Sequence, residues 1–213
     1  MIRPVTLLLL LAAAAHADLI DRIAVSVGNS VITTSDLERE IRVTAFLNDA
    51  QPTLTPEVKR ATADRMVEQL LIRRELQTSR YPVPDGAEID PALGEIRKRF
   101  PADADYQLAL ETWGITDADV RRALLWQRTL LLFIEIRFRP GVQLSDQEIQ
   151  DYFDKVVEPA ARAAHPGEPV ALEDYRDQIE QKLAGARVDH EVDAWLQEAR
   201  KRTEIVYHKE AFQ

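Results

Sequence analysis

Residues Val25 to Glu40 read VSVGNSVITTSDLERE, and the hydrophobic period changes halfway along this stretch. Up to Val31 the apolar residues alternate on both sides of Gly28-Asn29, which is typical of two short strands joined by a tight turn. Ser35 and Glu38 then have the spacing of a capping box, in which both side chains satisfy free amides in the first turn of a helix. The stretch therefore predicts a β-hairpin followed by a helix.

Residues 1–17 have the features of a signal peptide. Arg3 precedes a run of almost pure leucine and alanine, and Ala15-His16-Ala17 forms a small-x-small cleavage site. The apolar run is about eleven residues long, whereas a bilayer span needs roughly 20, so a retained anchor is the weaker alternative. We expect the protein to be exported to the periplasm, with the mature chain beginning at Asp18.

The composition excludes several classes of function. The chain has 27 basic and 36 acidic residues, a net charge of −9, and no cysteine. Because Arg3 is the only residue of 1–17 in these counts, residues 18–213 carry a net charge of −10, which argues against a nucleic-acid partner. The lack of cysteine excludes disulfides, thiolate catalysis and cysteine metal sites. Seven glycines and abundant Leu, Ala, Glu and Arg favour a mainly helical chain.

Capping residues and helix breakers divide the sequence into predicted helices. Thr55-Pro56 opens the second helix as N-cap and first helical residue, and Gly114 closes the fourth as C-cap. Thr116 to Asp119 and Ser145 to Glu148 are further capping boxes. The buried side of the second helix is predicted to include Val58, Ala61, Met66, Leu70 and Leu76. The predicted helices cover about 35–48, 55–80, 88–100, 104–113, 116–139, 145–153 and 172–199.

The predicted helix over 116–139 is too apolar for a single buried face. Apolar residues from Leu124 to Phe138 cover far more than the roughly 100° of an ordinary amphipathic helix. Arg128, Glu135 and Arg137 interrupt them, so the segment does not indicate a membrane span. Two interpretations stay open at this point: the helix is central to a bundle, or part of its surface lines a groove for an apolar partner.

The last part of the sequence predicts a linker, a long helix and a strand. Residues 157–170 contain three prolines and a glycine, which is typical of a loop or linker. Residues 203–207, TEIVY, are β-prone and short enough for one strand. Because an isolated hairpin is marginally stable, we expect this strand to join the hairpin in one sheet. The predicted fold is thus mainly α, with helices inserted between the two parts of a small sheet.

Four segments together resemble the SurA-like periplasmic chaperones, within the wider group that shares a trigger-factor/SurA peptide-binding domain. They are IAVSVGNSVITTSDLERE (23–40), WGITDADVRRALLWQRTLLLFIEIRF (113–138), VQLSDQEIQDYFDK (142–155) and LEDYRDQIEQKLAGARVDHEVDAWLQEARKRTEIVY (172–207). The likeness covers most of residues 18–213. It implies a helical chaperone body made of residues 18–156 and 171–213.

The chain departs from this family at residues 157–170. Family members usually carry one or more parvulin-type prolyl isomerase domains at this place, and such a domain needs more residues than this segment holds. The resemblance therefore implies an ATP-independent holdase without an isomerase domain, without a cofactor and without stable membrane insertion. Its expected partners are unfolded polypeptides, outer-membrane protein precursors above all. The alternatives are a weak or partner-dependent prolyl isomerase and an envelope scaffold.

The sequence contains candidates for peptide contact but predicts no catalytic or metal-binding residue. His165, His190 and His208 lack metal-ligand spacing and are interpreted as solvated side chains. Aromatic side chains either belong to the core or form groove walls that hold extended peptides by apolar contact, and the sequence leaves both open. The candidate peptide-binding residues are Tyr106, Trp113, Trp126, Phe133, Phe138, Tyr152 and Trp195.

Overall fold

The structure, a computed structural model, describes residues 21–213, and the predicted signal peptide lies outside them. Strands β1 (Ile23–Val27) and β2 (Ser30–Thr33) form the predicted hairpin. Its turn needs Gly28, whose φ of +55° disfavours other residues. Strand β3 (Ile205–Tyr207) pairs antiparallel with the free side of β1, giving the strand order β2-β1-β3. The predicted sheet between the two ends of the described chain is confirmed.

The rest of the described chain is mainly helical, as predicted. Short 3-10 turns precede α3, follow α5, precede α8 and follow β3, and a π-helical turn (Phe153–Val157) joins α6 to α7. The α-helices are α1 (Thr34–Leu47), α2 (Pro56–Thr78), α3 (Asp90–Arg97), α4 (Asp103–Trp113), α5 (Asp117–Arg137), α6 (Asp146–Tyr152), α7 (Glu158–Ala164) and α8 (Arg176–Lys201).

Most predicted caps are present. Thr55 accepts a hydrogen bond from the Val58 amide at the start of α2. Gly114 ends α4 in the left-handed conformation, at φ +62°. Reciprocal capping boxes open α5 at Thr116 and α6 at Ser145. These interactions involve residues within three or four positions of one another, so the sequence alone was enough to predict them.

The capping box predicted at Ser35 and Glu38 is wrong by two residues. The N-cap of α1 is Thr33, and its partner is Asp36, whose carboxylate accepts hydrogen bonds from the Thr33 amide and hydroxyl at 3.1 and 2.9 Å. Thr33 has the extended backbone of the last residue of β2, which is also the geometry of an N-cap. Helix α1 therefore begins directly after the strand, and Glu38 forms ion pairs with Arg42 and Lys59 instead.

The predicted buried side of α2 is also wrong in part. Ala61 is exposed, and the fully buried side chains include Thr62, Ala63 and Val67. Helix α2 contacts β1 and β2 as well as α1 and α8, so it has neighbours around much of its surface. A prediction based on one apolar face does not suit a helix packed in this way.

The predicted linker at 157–170 is partly helical. Its first half forms α7, which begins at Glu158 with Pro159 in the first turn, where a missing amide is tolerated. Residues 165–171 have no regular structure. The loop interpretation therefore holds for the second half of the segment and is wrong for the first half, where Pro159 lies in the first turn of a helix.

Apolar packing connects the sheet with the helices in successive clusters. The sheet cluster packs Val25 and Val27 of β1 against Val67 of α2 and against Phe212, close to the last residue of the chain. Helices α1, α3, α4 and α5 form an aromatic cluster, and α2, α5 and α8 form the next one. A smaller cluster joins α6 to α8. Helices α2 and α5 pack against each other in the α2/α5/α8 cluster. Helix α2 also packs on the sheet cluster and α5 also packs in the aromatic cluster, so each helix is held on two of its faces.

Candidate functional site

An open cleft of about 470 Å³ lies between α1, α2 and α5, beside strand β2. Each helix presents to it a row of residues at the i, i+3, i+4, i+7 spacing of one helical face. We call this site the α1/α2/α5 cleft. Its apolar lining consists of Val31, Ile32, Val43, Leu47, Met66, Leu70, Ala123, Trp126 and Leu130.

Charged side chains surround this apolar surface. Within α1, Arg39 pairs with Asp36 at 3.2 Å, and within α5, Arg122 pairs with Asp119 at 2.9 Å. Across the cleft, the Gln69 amide donates to the Glu40 carboxylate at 3.4 Å. The lining contains four arginines and three acidic residues, which is one excess positive charge in a chain whose net charge is −9.

Arg73 and Trp126 meet inside the cleft. The Arg73 guanidinium lies over the Trp126 ring, with 4.2 Å between its carbon and the ring centroid. Arg73 is half-buried, and this burial lowers the pKa of its guanidinium, while the nearby Glu40 charge acts in the opposite direction. None of the ion pairs and side-chain hydrogen bonds within residues 21–213 involves Arg73, and none of its nitrogens is a buried unpaired atom, so they are accessible from the opening of the cleft. The cleft thus contains a positioned cation without a partner among the described residues.

Strand β2 contributes an exposed sheet edge to the cleft. It has β1 on one side and no strand on the other among the described residues. Val31 of β2 lines the cleft and is 53% exposed. An edge strand presents unpaired backbone groups that can pair with an added chain. Backbone donors and acceptors therefore lie next to the apolar lining.

Of the seven aromatic candidates, only Trp126 lines the α1/α2/α5 cleft. Tyr106 and Trp113 belong to the aromatic cluster with Phe46, and Phe46 and Trp113 meet edge to face at 5.6 Å. Tyr106 is fully buried, and its hydroxyl donates to Asp117 at 2.8 Å. Burial, followed by this hydrogen bond, raises the Tyr106 pKa to about 12. Tyr106 is a core residue, which corrects its assignment to a groove wall.

Three further candidates lie in the cluster between α2, α5 and α8. Phe133 is 1% exposed at its centre, so this candidate too is a core residue rather than a groove wall. Phe138 and Trp195 each lie within 5.7 Å of the Phe133 ring, centroid to centroid. Both are half-buried and line a shallow depression beside Arg137 on the protein surface. They are accessible, but not from the α1/α2/α5 cleft.

Tyr152 lines a second cavity of about 410 Å³ between α7 and α8. The walls of this cavity are mainly apolar and include Val156, Ala160 and Ile179. The seven candidates are therefore distributed over several sites and do not form one groove. The sequence left open whether α5 is central to a bundle or lines a groove. Both interpretations hold in part, since Trp126 and Phe133 are buried while Leu131 is 58% exposed.

The sequence prediction missed the aliphatic part of the cleft. Val43, Leu47, Met66, Leu70 and Leu130 are half-buried or buried residues that line it, and none was a candidate. The helical spacing of Met66, Leu70 and Arg73 was visible in the sequence. What the sequence did not contain was the relative rotation of α1, α2 and α5, which decides whether such a row faces a neighbour or an opening.

His208 is less exposed to solvent than predicted. His208 is half-buried, and its Nε2 lies 3.2 Å from the Ser26 hydroxyl across β1 and β3. Among the described residues no carboxylate bonds to this ring, so the pair lacks the third group that orients a catalytic histidine.

Residues 21–213 contain no group of three or more His, Asp or Glu that could hold a metal ion. None of their helices is both long enough and apolar enough to cross a membrane.

Comparison with known proteins leaves the family unassigned. A scan against protein-family models and a search of curated proteins both return no match to this chain. The likeness to SurA-like chaperones therefore depends on the quoted sequence segments alone.

Proposed function

We propose that this protein is an exported, ATP-independent chaperone that holds extended segments of unfolded polypeptides in the α1/α2/α5 cleft. The client class is unfolded outer-membrane and other envelope proteins. The signal-peptide features of residues 1–17 support export, and the resemblance to SurA-like chaperones supports the client class. Binding requires no cofactor, because apolar contact and hydrogen bonds supply the free energy.

The observation that carries the proposal is the composition of the cleft. Its volume of about 470 Å³ lies within the usual range of ligand pockets, and aliphatic side chains, Trp126 and charged groups line it together. A polypeptide has the same mixture, with apolar side chains on a polar backbone. The exposed edge of β2 adds backbone groups that pair with an extended chain. A site without a precise polar constellation accepts many sequences, as a holdase requires.

Two neighbouring leucines of α5, Leu130 and Leu131, provide a test of the proposal and its control. Leu130 lines the cleft, whereas Leu131 is exposed and lies outside its lining. We expect purified protein to suppress aggregation of an outer-membrane β-barrel protein diluted from urea, without nucleotide. Leu130→Gln should raise the half-protecting concentration about fivefold, because a loss of about 1 kcal/mol of apolar contact changes an equilibrium constant by that factor. Leu131→Gln should leave it unchanged.

Two controls distinguish the alternatives. Thermal unfolding of both variants shows whether Leu130→Gln acts through loss of fold, since Leu130 also packs on the α2/α5/α8 cluster. A proline-limited refolding assay separates the holdase from a prolyl isomerase, which would accelerate refolding at substoichiometric concentration. Protein that neither prevents aggregation nor accelerates refolding would contradict the proposal and favour a scaffold.

A further inference from the structure

We infer that Arg73 is a specificity-determining residue of the α1/α2/α5 cleft and binds a carboxylate of the client chain beside an apolar side chain. This inference rests on the proposed function, because it assumes that polypeptide enters the cleft. It adds a chemical preference to that function: among apolar segments, those that carry a carboxylate bind more tightly.

Arg73 differs from the other arginines of the cleft because it lacks an internal partner among the described residues. The other arginines of the cleft each have one: Arg39 pairs with Asp36, Arg122 with Asp119, and Arg65 donates to the Thr62 hydroxyl at 3.2 Å. Arg73 has none within residues 21–213. The negative charge of Glu40 and the positive charge of Arg122 both act on the Arg73 guanidinium, and the Glu40 carboxylate accepts a hydrogen bond from Gln69 instead. A half-buried cation without a partner favours an incoming anion.

The Trp126 ring positions the Arg73 guanidinium. Stacking on Trp126 at 4.2 Å holds the planar guanidinium over the ring face. Its N–H groups lie in the plane of the guanidinium and remain available for a bidentate contact with a carboxylate. Because the side chain is already positioned, binding costs less conformational entropy than it would with a mobile lysine.

Apolar side chains lie beside Arg73 in the cleft. Leu70 and Leu130 line the same cleft as Arg73 and offer an apolar surface to an adjacent client residue. The excess positive charge of the lining distinguishes this cleft within an acidic chain. A carboxylate next to an apolar residue satisfies both features. It can come from an Asp or Glu side chain or from the end of a chain.

Three fluorescent twelve-residue peptides distinguish these sources. They share one apolar sequence and differ in carrying a central Glu with an amidated end, a central Gln with a free carboxylate end, or a central Gln with an amidated end. We expect at least one of the two acidic peptides to bind at least fivefold more tightly than the neutral one in fluorescence anisotropy. Arg73→Gln should abolish this difference while neutral-peptide binding persists.

Arg80→Gln is the matched control, because Arg80 is exposed and does not line the cleft. It should retain the full preference. Glu40→Gln is a second variant that does not remove Arg73, and it should strengthen binding of the acidic peptide by removing a competing negative charge. Equal binding of all three peptides would overturn the inference and leave the proposed function intact. Failure of every peptide to bind would overturn both.

Discussion

At the scale of single residues, Tyr106 and Asp117 show how a polar pair is used inside the aromatic cluster. The Asp117 carboxylate accepts from the buried Tyr106 hydroxyl at 2.8 Å, from Arg97 at 3.1 Å and from Arg121 at 2.6 Å. Asp117 is also the first residue of α5. Its charge there is favoured by the amides at the helix N-terminus. One carboxylate thus connects α3, α4 and α5.

We predict that Tyr106→Phe lowers the free energy of unfolding by about 2 kcal/mol, a usual contribution of a hydrogen bond to a charged group. The ring packing is kept, and only the hydroxyl is lost. Urea denaturation at pH 7 measures the change. Tyr152→Phe is the matched control, because the Tyr152 hydroxyl forms no hydrogen bond among the described residues. Equal stability of wild type and Tyr106→Phe would show that the bond to Asp117 contributes nothing.

The same pair predicts a pH dependence. The Tyr106 pKa is raised to about 12 in the folded protein, against about 10 when unfolded. The contribution of this group to stability is therefore fully present below pH 10 and is lost as the pH rises towards 12, because the unfolded chain releases its proton first. Tyr106→Phe should lack this part of the alkaline loss of stability.

Residue identity alone predicted chemical character but not location. The sequence indicated that Tyr106, Phe133 and Trp126 are apolar and important for packing. It could not distinguish a ring at the centre of a cluster from one at the wall of a cleft, because that difference depends on how helices are rotated about their axes. Arg73 was not a candidate, because its role in the cleft depends on its contact with Trp126, which lies 53 residues away in the sequence.

At the scale of elements, the C-terminal strand and the turn after it close the small sheet. Tyr207 of β3 packs beneath the Arg60 guanidinium at 3.6 Å and hydrogen-bonds through its hydroxyl to Asp64 of α2. Ala211 and Phe212 are buried against β1 and α2. The end of the chain is thus part of the sheet core.

We predict that Phe212→Ala lowers the free energy of unfolding by about 3 kcal/mol, the lower end of the usual cost of removing a buried phenylalanine. Phe212 is 9% exposed in the sheet cluster, while Val206 of the adjacent strand is 43% exposed. Val206→Ala should therefore cost less than about 1 kcal/mol. Chemical denaturation of both variants provides the comparison. Similar values for the two would mean that the residues after β3 contribute no more than a tail.

Element boundaries could be predicted wherever a local interaction decides them. The caps at Thr55, Gly114, Thr116 and Ser145 involve neighbouring residues, and each was found where the sequence indicated. The buried face of α2 depends on packing partners distant in sequence, and local patterns contain no information about those partners. Helix α7 has no buried residue and contacts mainly the π-helical turn before it, so its alanine-rich sequence was a local helix signal that the loop interpretation overlooked.

At the scale of the whole molecule, the sheet connects the two ends of the described chain and α2 lies against it. The Arg200 side chain of α8 bonds to the Glu68 carboxylate of α2 at 2.9 Å, which fixes the long last helix to the same body. Helix α5 packs between the aromatic clusters on either side. The cleft between α1, α2 and α5 is therefore lined by packed helices and a strand rather than by loops, and we expect it to accept a client without large rearrangement.

Site-specific crosslinking shows directly where a client touches the protein. Gln127 is exposed and lines the cleft, so a photo-reactive phenylalanine analogue at this position should fold normally and face the bound chain. The same analogue at Leu131, on the same helix but outside the cleft lining, is the control. If the client lies in the cleft, an unfolded outer-membrane protein should crosslink strongly at 127 and weakly at 131. Equal crosslinking at both positions, or crosslinking at 131 alone, would contradict the claim that the α1/α2/α5 cleft holds the client.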